Sequence, residues 1–160
     1  MSSQGVPENT EWEKEIQQKL NKIYVEKLEI DILNRKGERG YDVVVRNRKT
    51  LRRYTIEEKI IRHVWDNLSV ELIQDIKTNN LGWIYTCKAD ILHWVMCNNG
   101  EPKVIYRVLF LPFKEWYLEN CKNYNPNTFR IEPEGWGLTL HQLIPPQDIP
   151  DIKTLNLGKT

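Results

Sequence analysis

The chain has no apolar run approaching the roughly 18 residues that a membrane-crossing helix needs, and it has only three cysteines, Cys87, Cys97 and Cys121. The first absence excludes a helical membrane span. The cysteines are odd in number and fall in no CxxC or metal-ligand spacing, which excludes a disulfide framework and points to a reduced, cytoplasmic setting. No GxxxxGK[ST] or GxGxxG occurs, so the glycine-rich phosphate loops are excluded. His63, His93 and His141 form no HxxxH or HxH pair and read as structural. The opening stretch MSSQGVPENTEWEKE is acidic and lacks an apolar core, so no signal peptide is expected. Internal repeats, low-complexity tracts and linkers are also missing.

What is present is enough for a buried core. A length of 160 residues with 40% hydrophobic side chains fits one domain spanning 1–160. Residues 10–122 form its core, and 123–160 read as a turn-rich extension packed over the sheet. VPENTEWEKEIQQKLNKIY predicts a first helix, capped by Asn9 or Thr10, with Trp12, Ile16, Leu20 and Ile23 on one buried face. VEKLEIDIL, YDVVVRN, RYTIEEKIIRHV and LSVELIQDI predict strands separated by turns. WIYTCKADILHWVM predicts a helix through Ala89, Leu92 and Met96, with Lys88 and Asp90 near its start in capping or supporting roles. NNGEP predicts a turn, KVIYRVLFL a buried strand, and PFKEWYLENC a helix opened by Pro112. The pattern is α/β (α+β), a central mixed sheet flanked by helices.

The net charge of +1 conceals an uneven distribution. Residues 1–33 carry four basic and seven acidic side chains, whereas residues 34–62 carry ten basic and four acidic. A basic segment of this kind suits nucleic-acid phosphates through a sequence-independent attraction. The alternative is a solvated loop. Within the segment, two runs of β-branched residues are interrupted by charge: Asp42 in YDVVV and Glu57-Glu58-Lys59 in TIEEKII. Side chains alternate faces along a strand, so Glu57 and Lys59 share a face and Glu58 takes the other. A short connection makes the two strands neighbours. Asp42, Glu57 and Lys59 then converge, giving a hard-oxygen site for Mg²⁺ (or Mn²⁺) beside a lysine that orients water or stabilises phosphate charge. The alternative is a solvated sheet face of cross-strand ion pairs.

Asp42 followed after fifteen residues by Glu57-x-Lys59 resembles the PD-(D/E)XK nuclease superfamily. YDVVV resembles its first acidic strand, TIEEK its second, SVELIQDI a following strand, and GWIYTCKADIL a helix start. The resemblance covers about residues 10–120. It implies a restriction-endonuclease-like core of order αβββαβ and metal-dependent hydrolysis of DNA phosphodiesters. Asp42 and Glu57 would bind metal, Lys59 would position the nucleophilic water, and Glu71 would be an accessory acid. Glu13 is the nearest match to the glutamate that some members take from their first helix. Two departures stand out. Tyr41 replaces the proline before Asp42, and Glu58 occupies a position that is usually apolar. Buried alone, Glu58 would be costly, so it must face solvent, pair with a neighbour such as Arg62, or bind something. Asp75-Ile76-Lys77 is a competing frame with an apolar middle residue.

Arg46, Arg48, Lys49, Arg52 and Arg53, between the two acidic strands, are the expected contacts to a DNA backbone. A homodimer would suit an enzyme cutting both strands. The alternative function is a non-catalytic nucleic-acid- or protein-binding module on the same fold.

Overall fold

The computed structural model of the protein describes residues 7–35, 41–131 and 137–158. It is a mixed α/β fold with a mixed central sheet and three helices. Helix α1 (Pro7–Lys27) begins on a proline, whose fixed φ and missing N–H suit a first turn, ahead of the expected caps Asn9 and Thr10. Its buried face is Ile16, Leu20 and Tyr24. Strands β1 (Ile30–Asn34), β2 (Val43–Asn47) and β3 (Arg53–Ile61) then form an antiparallel meander. Val43, Val45 and Ile56 turn inward to meet α1.

The chain next leaves this sheet through β4 (Leu68–Asp75), β5 (Asn80–Leu81) and the single turn α2 (Trp83–Thr86), and returns as β6 (Ile91–Asn98) beside β3. Parallel strands need a crossover connection, and this excursion supplies it: Ile56 pairs with Ile91, and the register holds to Ile61 and Met96. β7 (Glu101–Leu109) follows through a two-residue turn, Asn99 and Gly100, both at positive φ (52° and 76°). That is the Asn-Gly turn whose twist matches a hairpin, where a turn was expected. α3 (Phe110–Asn120) comes next.

The expected helix across WIYTCKADILHWVM is therefore confined to four residues; 87–90 lie outside helix and strand, and the segment from Ile91 onward is a central strand. Ile91 through Cys97 are all buried, on both faces of the sheet. A strand covered on both sides is apolar at nearly every position, so it contains any spacing one looks for, the helical one included. Asp90 accordingly caps no helix. Its Oδ2 accepts from the Thr55 N–H at 2.9 Å and the Thr55 hydroxyl at 3.2 Å, fastening the start of β6 to β3.

The segment after 123 also does more than pack over a sheet. β8 (Pro126–Ile131) and β9 (Gly137–Ile144) join β4 and β5 in a second antiparallel sheet of order β5-β4-β9-β8. β10 (Lys153–Asn156) adds to β7 at the edge of the first, of order β1-β2-β3-β6-β7-β10. The two core clusters follow: one lies between α1 and the first sheet, the other between that sheet, the second sheet and α3. No helix among the described residues is long and apolar enough to cross a membrane.

Candidate active site

Val43 pairs with Ile56, which brings Asp42 alongside Glu57 and Glu58. The ladder slips there. The Asp42 N–H donates to the Ile56 carbonyl at 2.9 Å, and the next strand donor, the Glu58 N–H, goes to Asp42 Oδ2 at 2.7 Å. The carboxylate thus takes a bond that a backbone carbonyl would otherwise accept, and is fixed against β3. Glu57 and Lys59 share a face, as expected, with Lys59 Nζ 2.9 Å from Glu57 Oε2. Lys59 also lies over the Trp83 ring, 5.3 Å from its centre.

Burial, and next the charge of Glu57, push the Asp42 carboxyl up to about 7; the Glu58 N–H and Lys59 oppose the shift. Asp42 thus adjoins Glu57 across the two strands, and Lys59 pairs with Glu57. An unfolded aspartate protonates near 3.8, so the folded chain binds this proton more tightly. Stability then falls as pH rises between about 4 and 7 and is lowest above that window. Asp42→Asn, which keeps an acceptor for the Glu58 N–H, is expected to exceed the parent by about 2 kcal/mol at pH 8 without divalent ions, after discount for partial exposure. The two should converge near pH 4. Chemical denaturation at both pH values checks this, and a gap independent of pH contradicts it.

Glu71 and His141 complete the surroundings. They are paired across β4 and β9, with His141 Nε2 3.9 Å from Glu71 Oε2 and His141 Nδ1 2.5 Å from Ser69 Oγ. Burial and the nearby charge of Lys59 lower His141 to about 4, so it is neutral at pH 7. Glu71 Oε1 accepts from the Trp83 N–H at 3.2 Å. Cys87 is buried here, its thiol pushed up to about 11 by burial, and it feels the charges of Glu57, Lys59 and Asp42. Glu13, although its side chain reaches solvent, is raised by partial burial, with Lys59 and Arg62 acting the other way. His141 was not anticipated from the sequence. The sequence carries little signal for it: in LTLHQLI the histidine falls in phase with Thr139, where a polar side chain is ordinary, and Gln142 is the residue that breaks the apolar alternation.

Gly82 makes this arrangement possible. A Cβ on it would stand 2.1 Å from the Glu71 carbonyl oxygen, so only glycine lets the α2 turn press against β4. Its N–H donates to the Leu72 carbonyl at 2.8 Å. Gly82→Ala is expected to cost about 2–4 kcal/mol, because the clash is with backbone that cannot rotate away. Urea denaturation checks it; a loss below about 0.5 kcal/mol contradicts the close approach.

The unusual Glu58 is resolved on the opposite face. It is buried, and Arg35 grips it with both arms, Nη1 at 2.5 Å from Oε1 and Nη2 at 3.0 Å from Oε2. The Tyr24 hydroxyl donates to Oε2 at 2.6 Å and lies 2.9 Å from His93 Nδ1. Arg62, the neighbour named as an example of such a pairing, stacks on Trp12 at 4.6 Å from the ring centre.

The five basic residues lie at the far end of the β2–β3 hairpin from Asp42. Arg46 and Arg48 reach Asp31 at 3.3 and 3.6 Å, Arg48 also donates to the Val25 carbonyl, and Lys49 lies 3.8 Å from Glu29. Asn47 Oδ1 shapes the tip by accepting from the N–H groups of Lys49 and Thr50. Arg52 and Arg53 are exposed. The competing frame ends β4 in the second sheet, with Ile76 40% exposed; the side chain of Asp75 lies outside the described residues. Among the described residues, no set of three His, Cys, Asp or Glu side chains is grouped to hold a metal ion. Comparison with protein families, curated proteins and solved structures yields no match to this chain.

Proposed function

We propose that this protein is a metal-dependent nuclease-like domain of the PD-(D/E)XK type, hydrolysing DNA phosphodiesters at Asp42, Glu57 and Lys59. The observation that carries the reading is a carboxyl raised to about 7 by its own burial and a second acid, with one lysine 2.9 Å from that second acid. Like charges brought together in a half-buried place oppose folding, and a divalent cation relieves that cost. The donors fit such an ion: both are hard oxygens, and Mg²⁺ keeps several waters, so two protein carboxylates suffice. The element order also supports it. This reading takes α1, the three antiparallel strands, the crossover containing α2 and the parallel β6 as the αβββαβ core, and sets β4 and β5 aside as an addition within the crossover.

When bound, Mg²⁺ or Mn²⁺ supplies polarisation of a phosphoryl oxygen and a water of lowered pKa. The chain's own residues do the rest. Asp42 and Glu57 present their oxygens from adjacent strands. Lys59 orients the attacking water and offsets charge on the phosphate. Trp83, Cys87 and β4 limit bulk water on that side, and Glu71 stands ready as an accessory acid. Arg52 and Arg53, exposed on the hairpin, supply attraction to the DNA backbone. A cytoplasmic setting, and a homodimer cutting both strands, belong to the same reading.

The closed Glu57–Lys59 pair supports a second reading, in which the triad is an ion network and the fold a non-catalytic binding module. Titration with Mg²⁺ and Mn²⁺ on linear and plasmid DNA separates them. Cleavage that needs the metal, and metal-dependent DNA binding weakened by Asp42→Ala, support the nuclease. DNA binding indifferent to metal, with no cleavage, supports the module.

A further inference from the structure

Leu51 stands where a leucine is unfavourable on two counts. It lies at the tip of the β2–β3 hairpin, 65% exposed, and joins neither core cluster. Its backbone is left-handed, at φ 62°. A leucine is strained there by its own Cβ, whereas glycine or asparagine takes that conformation readily. The turn enforces it. The Leu51 N–H donates to the Asn47 carbonyl at 2.8 Å, and the Asn47 N–H to the Arg52 carbonyl at 2.9 Å. Asn47 Oδ1 holds the N–H groups of Lys49 and Thr50 at 2.8 and 2.9 Å, and Thr50 Oγ1 accepts from the Arg52 N–H at 3.3 Å. Backbone strain that neighbouring bonds over-determine in this way gathers at functional sites.

The surroundings of Leu51 are basic. Arg48, Lys49, Arg52 and Arg53 are all exposed. Arg48 and Lys49 face Asp31 and Glu29 at 3.6 and 3.8 Å. Among the described residues no carboxylate pairs with Arg52 or Arg53. The tip is therefore an apolar point set in positive charge and held rigidly outward.

We propose that this tip is a DNA wedge: Leu51 enters a duplex between base pairs from the minor groove, while Lys49, Arg52 and Arg53 hold the flanking phosphates. Proteins that bend DNA insert single aliphatic side chains in this way, and the cost of unstacking is offset by wider contact with the bent backbone. A lipid surface is the poorer fit, because one leucine buries too little to hold there. Leu51 and Glu57 are six residues apart, about 20 Å along a strand, so the wedge acts away from the reacting phosphate. It rests on DNA as the partner, named above, and not on cleavage.

The test uses the full chain without divalent ions and a short duplex of TA steps, which unstack readily, with 2-aminopurine in place of one adenine. Binding of the parent is expected to raise the emission of that base as the step opens. Leu51→Gly should bind about tenfold more weakly, the effect of leaving one leucine side chain unburied, and should give no rise at saturation. Leu51→Met should keep the rise. The salt dependence of Leu51→Gly should match the parent's, because no charge is removed. Arg52→Gln with Arg53→Gln should instead reduce the slope of log affinity against log salt by about 2. Leu51→Asn, which accepts left-handed backbone, should unfold at the parent's Tm or above it. Equal affinity and equal emission in parent and Leu51→Gly, or a lower Tm in Leu51→Asn, overturns the wedge and leaves the role of the acids untouched. Leucine-dependent binding to phosphatidylserine vesicles, with no effect of Leu51 on the duplex, also overturns it. A parent that opens the step yet cleaves nothing when Mg²⁺ or Mn²⁺ is added keeps the wedge and removes the nuclease. A parent that binds no duplex removes both.

Discussion

Lys59→Ala is expected to lower Mg²⁺-dependent DNA cleavage by about 10²–10⁴-fold, the range for removing a positioned proton-handling or charge-stabilising group, while DNA binding changes little. Single-turnover cleavage at saturating enzyme reads the chemical step apart from binding. The prediction follows from where the lysine stands. Its ammonium is 2.9 Å from Glu57 and above the Trp83 ring, which leaves it too constrained to act as a general contact to the DNA backbone. Lys59→Arg should restore little, because a planar guanidinium does not replace a compact ammonium in such a place. A second readout guards against loss through misfolding. Lys59 lowers the Asp42 carboxyl, so its removal raises that carboxyl further, and the pH at which stability levels off moves upward. Cleavage undiminished in Lys59→Ala would remove the triad from the chemistry. Cleavage lost without any movement of the pH window would place the lysine away from Asp42.

The strands that carry these residues were legible because charge breaks a β-branched run there. Asp42 among valines, and Glu57-Glu58-Lys59 among isoleucines, violate the local pattern, and such violations gather at functional or specially paired positions. The cost of Glu58 was also visible, but its partner was not. Arg35 stands 23 residues away in a turn segment, and nothing local distinguishes it from Arg62, which is nearer in sequence and pairs with an indole ring instead. β6 was misread for the opposite reason: a strand buried on both faces carries no period at all. The second sheet was hidden because β4 finds β9 some seventy residues later, a pairing that leaves no trace in either segment's spacing. His141 enters the site only through that pairing.

Arg35→Ala is expected to destabilise the protein by about 3–5 kcal/mol, because it leaves the Glu58 carboxylate buried and unpaired. At this length that is a fall in Tm of roughly 10 °C or more. The Glu58 side chain has no exposed surface, and that of Arg35 is 12% exposed, so water cannot easily replace the guanidinium. Removing both charges should differ in kind. Arg35→Met with Glu58→Leu fills the same space with apolar groups and should recover most of the loss, since a buried ion pair often contributes little over a well-packed replacement. Thermal and urea denaturation of the two variants checks the order. If Arg35→Ala is nearly neutral, Glu58 is reached by water and the apolar setting is wrong. If the apolar pair is as unstable as Arg35→Ala, the chain is held by the hydrogen bonds through Tyr24 rather than by the ion pair. The apolar pair also deprives the Tyr24 hydroxyl of its acceptor, so the hydroxyl is then free to donate to His93 Nδ1 and move the imidazole hydrogen to Nε2. The glutamate in the middle of the EEK run thus sets the tautomer of a histidine on the neighbouring strand, a role that an apolar residue in its place could not fill.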